Sequence, residues 1–114
     1  MIISKENVVK NERKNDAGEI SLLISDLAGF DGKNEKIRMF GHAELLPGQE
    51  IKYHTHEGES ETYYILSGKG LYNDNGKETE IFPGSVTFTP SGNGHGMKNT
   101  GEENLNFIAL ILID

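Results

Sequence analysis

His54 and His56 stand two residues apart, Glu61 follows five residues later, and His95 lies much further along the chain. Three imidazoles and one carboxylate form a donor set suited to Mn, Fe, Co, Ni or Zn. A neutral imidazole offers a lone pair without charge, and the carboxylate offsets part of a +2 ion. On an ion that prefers six ligands, four protein donors leave two positions for water or a chelating substrate. On zinc the same four could close a tetrahedral, purely structural site. A His-x-His pair is also compatible with two exposed or structural histidines, so spacing alone leaves both accounts open. The chain has no cysteine, which excludes thiolate sites, disulfides and cysteine nucleophiles.

Short β-strands are the elements expected to position these side chains. His54 and His56 fall in a strand over Glu50 to His56, where period-two alternation puts both on one face. Glu61 opens the next strand, Glu61 to Leu66, which is rich in Tyr and Ile. His95 begins another, His95 to Asn99, after the loop Pro90 to Gly94. Further strands are expected at Ile20 to Leu27, Lys36 to Leu46, Ser85 to Thr89 and Leu105 to Ile113, with a loop over Ala28 to Asn34. Asp74-Asn75-Gly76 between Leu71 to Asn73 and Lys77 to Phe82 is a hairpin signal. No stretch keeps a helical period, and turns recur every eight to twelve residues, so the reading is an all-β sandwich or barrel.

The 114 residues suit one domain with one core. Residues 1–19 are polar and weakly patterned, and read as an N-terminal arm or edge strand; residues 20–114 read as the barrel domain. The net charge of −7 disfavours a nucleic-acid partner, and the basic cluster Lys10 to Lys14 is interrupted and reads as a solvated segment. No run approaches the length of a membrane span, and the N-terminus lacks the apolar stretch of a signal peptide. The expected compartment is the cytoplasm.

The wider pattern is more specific than the histidines alone. Gly48, His54, His56, Glu61 and Gly68 are separated by five, one, four and six residues. Gly84, Pro90, Gly92, His95 and Asn99 are separated by five, one, two and three, and fifteen residues divide the two halves. This arrangement resembles the two signature motifs of the cupin superfamily at each fixed position, in the compact spacing of small bacterial cupins. The resemblance implies a single-domain jelly-roll β-barrel of six to eight strands. It also implies one divalent metal ion, Mn or Fe by preference, held by His54, His56, Glu61 and His95.

Among such proteins the chain looks similar to single-domain, oxalate decarboxylase-like cupins. In one respect it departs from them: relatives that act on oxalate carry an arginine three residues before the first ligand histidine, where this chain has Ile51. The resemblance therefore implies a metal-dependent decarboxylase, dioxygenase or isomerase acting on a small oxygen-rich substrate, or alternatively a non-catalytic ligand-binding or sensor module. It implies a homodimer as well. The apolar strand Leu105 to Ile113 and the N-terminal arm are the expected contacts with the second copy.

Parity places Tyr63 and Ile65 with Glu61, and Met97 with His95. With Phe88 or Phe107 these could line an apolar pocket, or simply fill the barrel core. Glu57 and Glu59 read as solvated loop carboxylates that could still act as an acid or base. His42 reads as structural or exposed. Arg38 reads as a surface residue, with an inward, anion-binding role as the alternative.

Overall fold

The computed structural model describes residues 1–28 and 35–114, so the loop expected over Ala28 to Asn34 falls, apart from Ala28, outside the described residues. Alternation decides which side of each strand turns inward. In β5 (Glu59–Ser67), Glu61, Tyr63 and Ile65 are buried, while Tyr64 and Leu66 are exposed. In β10 (Leu105–Ile113), Leu105, Phe107, Ala109 and Ile111 are buried at every second position. Residues two apart share a face of a pleated strand, so each strand presents one apolar stripe.

The strands form two antiparallel sheets. In the larger, the order is β1 (Lys10–Lys14), β2 (Ile20–Asp26), β3 (Ile37–Leu45), β10, β5 and β8 (Val86–Thr89). In the smaller it is β4 (Glu50–Thr55), β9 (Gly94–Asn99), β6 (Gly70–Asp74) and β7 (Lys77–Ile81). The inner faces pack around Leu22, Ile24, Ala43, Leu45, Ile65, Leu105 and Phe107. This is a jelly-roll β-barrel, with ten strands among the described residues rather than six to eight. Three of the ten, β1, β7 and β8, are strands of four or five residues at sheet edges.

Local chemistry explains the turns that matter. Asn75 and Gly76 both have positive φ, of 50° and 101°, and join β6 to β7 between the partners Asp74 and Lys77. A two-residue turn of that kind follows the twist of the hairpin, and Asn-Gly is the pair that tolerates it.

One expectation needs correction. The apolar strand Leu105 to Ile113 is not an edge: β10 lies between β3 and β5 and pairs with both. Its ladder groups are used within the sheet, so it cannot pair with a second copy. Its hydrophobicity reflects a central position in the sheet. The arm, by contrast, supplies β1 at the edge.

Candidate metal centre

Two local devices aim the histidines. Ile51 stands opposite Met97, and His54 opposite His95, with a register shift between them. Residues three apart on a regular strand face opposite sides; the bulge brings both inward. His56 follows just beyond β4, and its backbone is bonded to the loop at Gly92 (2.7 Å) and Asn93 (3.1 Å). On the other side, Gly94 and Gly96 flank His95. A β-carbon on Gly94 would collide with the Tyr53 ring, and one on Gly96 would crowd the backbone of Ile51 and Tyr53. Glycine is what lets β4 and β9 lie close enough for their histidines to meet.

The structure brings His54, His56, Glu61 and His95 together, with one donor atom from each within 4.8 Å of all the others. His56 Nε2 is 3.1 Å from His54 Nε2 and 3.1 Å from His95 Nε2. Glu61 Oε1 is 3.0 Å from His56 Nε2 and 2.8 Å from His95 Nε2. The three rings meet edge-on, with centroids 4.7 to 5.0 Å apart. His56, Glu61 and His95 are buried and His54 is partly buried.

The outward-facing nitrogens are held as well. His54 Nδ1–H donates to the Lys52 carbonyl at 2.8 Å, and His56 Nδ1–H to Glu59 Oε1 at 2.9 Å. His95 Nδ1 is 2.7 Å from the Tyr72 hydroxyl, which also lies 3.0 Å from Thr89 Oγ1. A carbonyl or carboxylate can only accept, so the neutral rings of His54 and His56 carry their proton on Nδ1. Their Nε2 lone pairs then face each other at 3.1 Å, with the Glu61 oxygen beside them. The bare acceptors of His54, His56 and Glu61, packed this closely, repel, and a cation among them satisfies all three, with His95 Nε2 in reach as a fourth donor. The donor set therefore fits a divalent ion, which Nε2 of the three histidines and Oε1 of Glu61 could hold.

Glu59, expected as a solvated loop carboxylate, instead opens β5 and supports His56 from a partly buried position, and Tyr72, which the sequence motifs do not single out, supports His95. Glu59 is the first residue of β5 and shares the parity of Glu61, so the signal was present once that strand is started two residues earlier. It also forms an ion pair with Arg38. The hydrogen bond from His56, aided by the Arg38 charge, holds the Glu59 carboxyl below the usual range. Arg38 itself is largely exposed, as is Glu57. His42 faces outward and bonds Asn106 at 3.0 Å.

Beside the donors lies a cavity of about 190 Å³. Tyr63 and Phe107 line it together with Leu22, Ile24, Met39 and Arg13. Burial pushes the Tyr63 hydroxyl well above its ordinary value, with the Glu61 charge acting in the same direction. Ile65 and Met97 are buried in the core and do not line this cavity. Phe88 is 58% exposed and faces away from it. The cause is register: Thr87 and Thr89 oppose Tyr63 and Glu61 and take the inner face, leaving Val86 and Phe88 outside. Arg13 was read as part of a solvated segment, yet it reaches the cavity from β1.

The comparisons agree with this geometry. The sequence pattern described as "Cupin domain" matches residues 41–111. An "Oxalate-binding protein" of Thermotoga maritima is 42% identical over 96 residues, covering 84% of this chain and 78% of that protein. The crystal structure of a predicted oxalate decarboxylase from Thermotoga maritima superposes with a TM-score of 0.87 at 36% identity, covering all of both chains. An RmlC-like cupin from Shewanella frigidimarina shares the fold, with a TM-score of 0.75 at 21% identity over 97% of this chain and 88% of that one. The chain belongs to the cupin family.

Proposed function

We propose that the site holds one divalent metal ion, Mn or Fe by preference, and that the ion and the adjoining cavity bind a small oxygen-rich carboxylate of the oxalate kind. The observation that carries the first half is the convergence of four possible donors, with the Nε2 lone pairs of His54 and His56 facing each other and the Glu61 carboxylate beside them. Four of the separations in the cluster run from 2.8 to 3.1 Å and all lie within 4.8 Å, close enough for one ion to reach every donor. The ligand class is supported by similarity to the oxalate-binding protein and by the cavity's small size.

A bound ion would supply Lewis acidity and positions for the ligand's oxygens. The chain's own residues hold the donors, exclude water with Leu22, Ile24 and Phe107, and keep the Tyr63 hydroxyl protonated. The place of the Tyr63 hydroxyl in the cavity wall favours a second reading, in which the bound carboxylate is decarboxylated and a proton takes the place of the carbon dioxide lost.

Metal content by plasma mass spectrometry on untagged wild type and His54→Ala tests the site. About one ion per chain in the wild type and almost none in the variant is expected. No uptake by the wild type, even after reconstitution, overturns the proposal. Consumption of oxalate by the loaded protein, lost in Tyr63→Phe, would select turnover over binding.

We also propose a homodimer. The outer face of the large sheet exposes Tyr64, Leu66, Val86 and Phe88, and a second copy could cover this patch symmetrically. Light scattering at micromolar concentration should give twice the chain mass, and Phe88→Glu should return it to the monomer.

A further inference from the structure

β1 is exposed along its whole length, yet one of its side chains serves the interior. Arg13 stands directly opposite Leu22 on β2. Opposed residues of an antiparallel pair point to the same face, and Leu22 is a buried inner-face residue. Arg13 accordingly turns inward and lines the cavity beside the four donors. Lys10 on the same strand turns the other way and pairs with Glu44 at 3.1 Å.

The chemistry of the cavity wall gives Arg13 a role. Its remaining lining is apolar apart from the donors and Tyr63, and Ile51 on the β4 side offers no polar atom in its side chain. Among the described residues the Arg13 guanidinium has no hydrogen-bond or ion-pair partner, so its five N–H donors remain available to a ligand. Glu61 is the wall's only carboxylate and is committed to the donor cluster. A +2 ion with Glu61 and Arg13 leaves the cavity with two positive charges in excess. A dianion cancels that excess and a monoanion does not. A cavity of about 190 Å³ holds a molecule of a few heavy atoms, since a dry cavity of about 150 Å³ accommodates benzene.

We propose that Arg13 binds the carboxylate of the ligand that faces away from the four donors. The N-terminal arm, rather than the barrel, would then set the preference for small dicarboxylates over monocarboxylates. This rests on the reading of the donor cluster as a metal centre.

The test is calorimetric titration of manganese-reconstituted protein with oxalate and with acetate, with metal content measured on every sample. Arg13→Met should weaken oxalate about tenfold or more and acetate less than about threefold. Arg13→Lys should fall between, because an ammonium cannot present a planar fork. Lys10→Met removes the same charge from the outer face and should change neither affinity. Manganese content should stay at about one per chain throughout. The proposal is overturned if Arg13→Met binds oxalate within about twofold of wild type, or loses manganese, or if loaded wild type binds oxalate no more tightly than acetate. A wild type that takes up no manganese overturns the metal-centre reading instead.

Discussion

The two ends of the barrel both bury polar side chains, and they treat them differently. At one end Asn99 is almost completely buried. Its amide donates to the carbonyls of Leu45 at 2.8 Å and Glu103 at 2.7 Å, and its Oδ1 accepts from the Gly101 N–H at 2.8 Å. Each of its polar atoms is satisfied within the chain. At the other end His54 and His56 turn Nε2 acceptors toward one another and toward the Glu61 carboxylate, with His95 beside them. The first arrangement is complete as folded, and the second asks for a cation. A buried polar residue that closes its own bonds holds the fold together, whereas one left with a bare lone pair points to a ligand.

Paired variants should separate the two ends most sharply. Asn99→Ala strands the buried Leu45 carbonyl and the partly buried Glu103 carbonyl and Gly101 N–H, and should cost about 3 kcal/mol in denaturant unfolding while leaving metal stoichiometry intact. His95→Ala should do the reverse, removing nearly all bound metal while far-UV circular dichroism stays unchanged. If His95→Ala unfolds the protein, or Asn99→Ala loses its metal while folded, the two ends are not distinct.

A smaller effect should come from the supporting shell. Glu59→Ala frees the His56 ring without touching a donor atom. It should weaken metal binding about 10- to 100-fold in competition with a chelator. Glu59→Gln, which keeps an acceptor for Nδ1–H, should recover part of that loss. Equal affinity in both variants and wild type would show that Glu59 does not position the ring.

The smallest effect is expected at the exposed surface pair Asp16 and Lys52, whose charged groups lie 2.6 Å apart. The Lys52 hydrogen bond lowers the Asp16 carboxyl below its ordinary value. A lowered carboxyl stabilises the fold above its unfolded value and loses that contribution as pH falls through the folded one. Solvent screens this pair, so Asp16→Asn should leave the melting temperature unchanged at neutral pH and physiological salt.

Much of the centre was legible because ligand chemistry restricts residue types and strand geometry restricts spacing. His54 and His56 share a face by parity, and Glu61, Tyr63 and Ile65 follow the same rule. What escaped depended on registers that alternation alone does not fix. In Ser85 to Thr89 the apolar residues would normally mark the inner face. Here Thr89 is drawn inward by Tyr72, which bridges to His95, and Phe88 is turned out. The β4 bulge cannot be read from Ile51 to His54 without its partner strand. Arg13 was unreadable for a similar reason, since its inward orientation follows only from pairing with Leu22.

The central place of β10 also bears on the order of events during synthesis. It is the last of the ten strands to leave the ribosome, yet β3 and β5 are joined only through it. Glu61 rides on β5, while His54 and His95 belong to the other sheet. Until β10 arrives, a nascent chain holds the histidines without the sheet that presents their carboxylate partner. Assembly of the four-residue cluster is thereby deferred until β10 is in place, and a chain interrupted before it is left with the cluster unfinished.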